Sequence, residues 1–105
     1  MNRVDVREAV TRAHHEEWAR VVAALTRRFG DLDIAEEAAA EAFATAVERW
    51  PADGVPPNPG AWLTTTARNR ALDRIRRAAT ETEKLRRVAA ETPAAHWDAV
   101  AEEVD

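Results

Sequence analysis

The sequence predicts an all-α protein: a compact bundle of three main helices, with room for a short fourth helix from Glu81 to Ala90. Three observations carry that prediction. Apolar residues recur at the three-and-four spacing of a helical stripe rather than in strict alternation. Alanine dominates the hydrophobic 46% of the chain, while aromatic residues make up 6%, a composition that suits close-packed helices better than a β core. Proline and glycine concentrate in one stretch only, between Pro51 and Gly60. A chain of 105 residues can build one apolar core and not two. The expected organisation is therefore a helical domain over 1–90 and an acidic linker or tail over 91–105.

The first helix is expected from about Val4 to Phe29, because Trp18, Val21, Val22, Leu25 and Phe29 form one stripe. Gly30 stands where a helix C-cap needs a residue that tolerates positive φ. Asp33, with Glu36 three positions later, reads as a capping box that opens a second helix. That helix should end near Trp50 and Pro51. Its expected inward face is Ile34, Ala35, Ala38, Ala42, Ala46, Val47 and Trp50, whose small residues allow close approach of a neighbour. The ten residues from Pro51 to Gly60 read as a loop, with Asn58 and Pro59 as N-cap and first-turn proline of the third helix. The third helix is expected from Gly60 to about Ala79, and Glu81 to Val88 could continue as helix beyond it. Its core side gathers Leu63, Ala67, Ala71 and Ile75, with Thr64, Leu72 and Ala78 nearby.

Charge and composition exclude several classes of function. The absence of cysteine removes disulfides, thiolate metal sites and cysteine nucleophiles, and fits a reducing cytoplasm. No stretch approaches the roughly 20 apolar residues that span a bilayer, so no membrane partner is expected. His14-His15-Glu16-Glu17 offers metal-capable side chains, but neighbours on a helix point about 100° apart, and packing of His14 on Trp18 is the simpler reading. His96 stands alone. No Gly-rich phosphate loop and no paired acid and base nominate an enzyme, and neither a metal nor any other cofactor is expected. The net charge of -4 hides a block pattern. Every charged residue from Asp31 to Glu48 is acidic, all but Asp73 from Arg68 to Arg77 are arginine, and all from Glu91 to Asp105 are acidic again. Such blocks point to different partners for different faces.

The side of the third helix opposite the core collects Trp62, Thr66, Asn69, Asp73 and Arg76, with Arg70 and Arg77 beside them. An aromatic face, an amide and guanidinium groups are what unpaired nucleic acid requires, for stacking, base edges and phosphates respectively. A half-buried tryptophan under the Pro-rich loop, with ordinary solvated arginines, is the competing reading.

Gly60-Ala61-Trp62-Leu63-Thr64-Thr65-Thr66-Ala67-Arg68-Asn69-Arg70-Ala71-Leu72-Asp73-Arg74-Ile75-Arg76-Arg77 resembles regions 2.3 and 2.4 of the extracytoplasmic-function (ECF) sigma factors of the sigma-70 family. Asp33-Ile34-Ala35-Glu36-Glu37-Ala38-Ala39-Ala40-Glu41-Ala42-Phe43 resembles region 2.2, at the matching distance upstream. The segments around Arg49-Trp50-Pro51 and Asn58 to Leu63 are most similar to the subgroup that often carries a long C-terminal extension. The resemblance runs from about Ala13 to Arg77.

It implies a non-enzymatic domain with two partners. Region 2.2 docks on the clamp helices of the β′ subunit of core RNA polymerase, which would place Glu36, Glu37 and Glu41 at that contact; Glu37, Glu41 and Glu48 share one side of their helix in any case. The family commonly has glutamine where this chain has Ala40, so one polar clamp contact is expected to be missing. Regions 2.3 and 2.4 recognise and melt the promoter −10 element through its non-template strand. That implies a DNA path lined by Trp62, Thr66, Asn69, Arg70, Asp73, Arg76 and Arg77, with Asp53, Gly54 and Asn58 in a base-accepting loop. The resemblance also leaves room for an anti-sigma factor as a partner. The second, −35-reading domain (region 4) of complete members has no counterpart after Ala79. Two alternatives remain: a helical protein-docking module that uses the acidic second helix, and a helix-turn-helix regulator. The latter predicts a short turn before its recognition helix, against which the ten-residue connection argues.

Overall fold

The computed structural model describes residues 3–91, with side chains from residue 5 onward, and contains three helices and no strand among them. They are α1 (Arg3–Phe29), α2 (Leu32–Asp53) and α3 (Pro59–Glu91). The chain divides into two units, Met1–Asp73 and Arg74–Asp105. The acidic tail expected over 91–105 and the lone His96 fall, from residue 92 on, outside the described residues.

The first unit owes its core to small residues. Val21 and Leu25 of α1, Ala35, Ala38, Ala39, Ala42, Ala46 and Trp50 of α2, and Leu63, Ala67 and Ala71 of α3 are all buried and form one cluster. A row of alanines removes the bulk that would hold two helix backbones apart, and Trp50 is the largest side chain to fill the remaining space. Between α1 and α2, Trp18 stacks on His14 at 5.1 Å, and the rings of Phe43 and His14 meet edge to face at 5.2 Å, which accounts for the histidine as a packing residue.

The helix boundaries follow from caps. Gly30 takes φ 70° and its N–H bonds the Thr26 carbonyl at 2.8 Å, closing α1. The cap of α2 is Asp31, not Asp33: Asp31 is extended at φ −141° and its carboxylate accepts the Ile34 N–H at 3.1 Å. Starting there lengthens the helix and leaves Asp33 in the first turn, where a negative charge meets the positive end of the helix. At its far end α2 continues through Pro51 to Asp53, because the Gly54 N–H reaches the Trp50 carbonyl at 2.9 Å and closes a turn around the proline. Asn58 caps α3, accepting the Ala61 N–H on Oδ1 at 3.1 Å, with Pro59 in the first turn. The connection is therefore residues 54–58, half the length expected, since the helices on either side absorb the outer breakers.

Three packing expectations need correction. Val47 is exposed; it lies about 120° around the wheel from Ala35, beyond the arc that Ala39, Phe43 and Thr45 fill instead. Ile75 and Ala78 are exposed as well, so the buried stripe of α3 ends at Ala71. No separate fourth helix forms, because α3 runs unbroken to Glu91. Its sequence from Ala79 is rich in Ala, Glu, Lys, Leu and Arg and has no Gly or Pro, and Arg87 pairs with Glu83 at i,i+4 and 3.9 Å.

Candidate nucleic-acid interface

The first turns of α3 set the geometry of the candidate site. Asn58 holds the helix start twice, through its side-chain oxygen on Ala61 and through its carbonyl on the Trp62 N–H at 3.2 Å. Trp62 follows directly and does not stand clear of the core as expected: one position before the buried Leu63, it is half-buried and packs against the core cluster. Its ring packs edge-on against the buried Trp50, with centroids 5.4 Å apart and planes at 65°. The indole is thus neither loose on the surface nor sunk in the core, and a buried partner fixes its tilt. Along the same side Thr66 is half-buried, and Asn69 and Asp73 are exposed. Four- and three-residue steps bring these side chains onto one strip of the first unit.

Arg70 departs from its expected place. Its Nη2 donates to the Thr45 hydroxyl at 3.3 Å, and that hydroxyl donates to the Glu41 carbonyl at 2.9 Å. The guanidinium therefore braces α3 against α2 with one of its five donors. The sequence carries the signal: Arg70 follows Leu63 by seven residues, which puts it on the flank of the core rather than in the outward strip. Trp50 and Thr45, the residues that hold Trp62 and Arg70, are not among the expected site residues. Arg76 and Arg77 belong to the second unit, where both are exposed.

Of the expected loop residues, Asp53 is the last residue of α2, Gly54 is its cap at φ 87°, and Asn58 is the cap of α3. All three are exposed, and they mark the two ends of the connection rather than its middle. On α2, Glu36, Glu37 and Glu48 are exposed and Glu41 is half-buried. Glu37, Glu41 and Glu48 share one side, and Glu36 lies about 100° from Glu37 around the helix. Acidic α2 and arginine-bearing α3 thus present opposite charges from separate elements. Among the described residues no cluster of His, Asp or Glu gathers that could hold a metal ion, and no helix is long and apolar enough to cross a membrane.

The chain is 44% identical over 63 residues to an uncharacterized protein of Rhizobium meliloti (strain 1021); the match covers 60% of this chain and 15% of that relative. No solved structure matches. The family described as Sigma-70 region 2 matches residues 14–81, a span that takes in the alanine-rich α2, the proline-bearing connection and the strip from Trp62 to Asp73. The chain therefore belongs to the sigma-70 region 2 family.

Proposed function

We propose that this domain belongs to a sigma factor of the ECF type, docks on the β′ clamp helices of core RNA polymerase through α2, and captures the non-template strand of the promoter −10 element along α3. The observation that carries the reading is the family match lying over a strip in which a half-buried indole is followed by an exposed amide and carboxylate at helical spacing. Trp62 supplies a stacking face, Asn69 reads a base edge, and Thr66 and Asp73 border the path. Asp53, Gly54 and Asn58 frame the connection that accepts an extruded base. Arg76 and Arg77, in the second unit, contact phosphates. Arg70 contributes chiefly by bracing α3.

Melting in this reading is selective binding of the open state rather than chemistry. Extruding a base costs a few kcal/mol, and stacking returns about 1–3 kcal/mol per base, so a few captured bases offset the opening. Helices joined by a stiff connection lose little entropy on capture, which favours a prolyl loop. The helix-turn-helix alternative regains its short turn, because the connection is only residues 54–58, but the family match speaks against it.

The test separates the two faces. Retention of core polymerase by the purified chain should fall at least about tenfold in a Glu37→Lys, Glu41→Lys variant, since charge reversal replaces attraction by repulsion. That variant should still bind single-stranded −10 DNA. Reversal of Arg76 and Arg77 to glutamate should leave polymerase retention intact and lower the salt slope of DNA binding by about 0.7 for each phosphate that is no longer neutralised. Equal retention of wild type and the Glu37, Glu41 variant would refute the clamp assignment.

A further inference from the structure

We infer that Glu17 of α1 is a positioning residue for the first turn of α3 and for the connection that precedes it. Gly60 is the second residue of α3, and a Cβ added there would lie 2.5 Å from Oε2 and 2.8 Å from Cδ of Glu17. The space a side chain would occupy is filled by a carboxylate from another helix. Glu17 is mostly covered, its side chain 22% exposed, whereas its partner Arg20 at 3.9 Å is 81% exposed and holds it only weakly from the solvent side. Arg12 and Glu16 of α1 and Val55 and Asn58 of the connection line the same cleft of about 200 Å³.

The first turn explains the placement. Pro59 has no N–H, and Asn58 takes the N–H groups of Ala61 and Trp62. The remaining first-turn donor is the amide of Gly60 itself, at the residue Glu17 touches. A carboxylate there meets the partial positive charge of the helix start. Glycine is a poor helix former, and at this position it is the residue that leaves room for the acid. Asn58 from the chain itself and Glu17 from α1 thus fix the turn that delivers Trp62. The consequence for DNA rests on the proposed function; the contact does not.

Amide exchange of the full chain, followed by NMR, tests this without DNA. Glu17→Ala should speed exchange of the Ala61 and Trp62 amides about threefold and leave the Ala42 amide of α2 unchanged. Gly60→Ala should slow that exchange about threefold more in the Glu17→Ala background than in wild type, because the methyl no longer displaces a carboxylate and only the better helix propensity is felt. Glu17→Gln, which keeps the shape and loses the charge, should fall between wild type and alanine. The same glutamate variants should weaken capture of single-stranded −10 DNA while retaining polymerase. An identical effect of Gly60→Ala in both backgrounds, or unchanged exchange in Glu17→Ala, would overturn the inference. Coupling between Glu17 and Gly60 in these variants, together with a wild-type chain that captures no single-stranded −10 DNA, would instead uphold Glu17 and defeat the proposed function.

Discussion

Up to Ala71, α3 lays Leu63, Ala67 and Ala71 into a core with no exposed surface; from Ile75 to Glu91 every residue of the same helix is exposed. The two stretches have the same secondary structure and different reasons for it. In the first, tertiary burial selects the helix, and residues of modest helix propensity such as the half-buried Thr64 and Thr66 are tolerated beside it. In the second, local preference must serve, through alanine, glutamate, leucine and arginine and the Glu83–Arg87 pair. Helicity and membership of the core are separate properties, and the difference decides where a substitution is felt.

The largest effect should come from the packed side. Trp50→Ala removes the biggest fully buried side chain and the surface against which Trp62 rests, and should cost about 3–5 kcal/mol in urea unfolding. Leu85→Ala, at a residue 62% exposed, should stay within about 0.5 kcal/mol. If the two costs came out similar, the contrast between the stretches would be wrong. On the proposed function the same substitution has a second effect: without Trp50 the Trp62 indole loses the ring that fixes its tilt, so capture of single-stranded −10 DNA should weaken even where enough folded protein remains.

The same contrast separates what a sequence reveals from what only coordinates do. The fold class and the three helices are legible because alanine stripes and a single proline cluster dominate the pattern. The inward face of α2 is legible at Ala35, Ala38, Ala42, Ala46 and Trp50, where one arc suffices. Legibility ends at Val47, an apolar residue just past the edge of that arc. That the helical stretch beyond Ala79 continues α3 unbroken to Glu91, and is not a separate fourth helix, is hidden because the end of a buried stripe and the end of a helix leave the same mark on the apolar pattern. In the candidate site, the spacing of Trp62, Asn69 and Asp73 is legible, since it depends on one helix alone. The roles of Trp50, Thr45 and Glu17 are not, because each rests on a contact between helices whose mutual placement no local pattern encodes.

A smaller effect sharpens the local half of the contrast. Two aspartates compete for the start of α2, and only Asp31 has an extended backbone and accepts the Ile34 N–H. Asp31→Ala should cost about 1 kcal/mol in thermal or urea unfolding, the usual loss for a cap. Asp33→Ala should cost no more than about 0.3–1 kcal/mol, since it removes a charge near the helix start and no hydrogen bond. Reversed magnitudes would return the cap to Asp33 and shorten α2 by two residues.

The smallest expected effect on global stability comes from the most violent local change. Lys84→Pro removes a helical N–H and sets a ring against the preceding turn, at a local cost of about 3 kcal/mol. Lys84 is exposed in a stretch that adds nothing to the buried cluster of the first unit. Circular dichroism should therefore report a weaker helical signal, while the unfolding midpoint of the core, followed by tryptophan fluorescence, stays where it was. A helix held by propensity alone can melt without exposing apolar surface, so the cooperative transition of the core has nothing to register. A midpoint that fell in step with the helical signal would mean that the residues beyond Asp73 share the stability of the alanine-lined core.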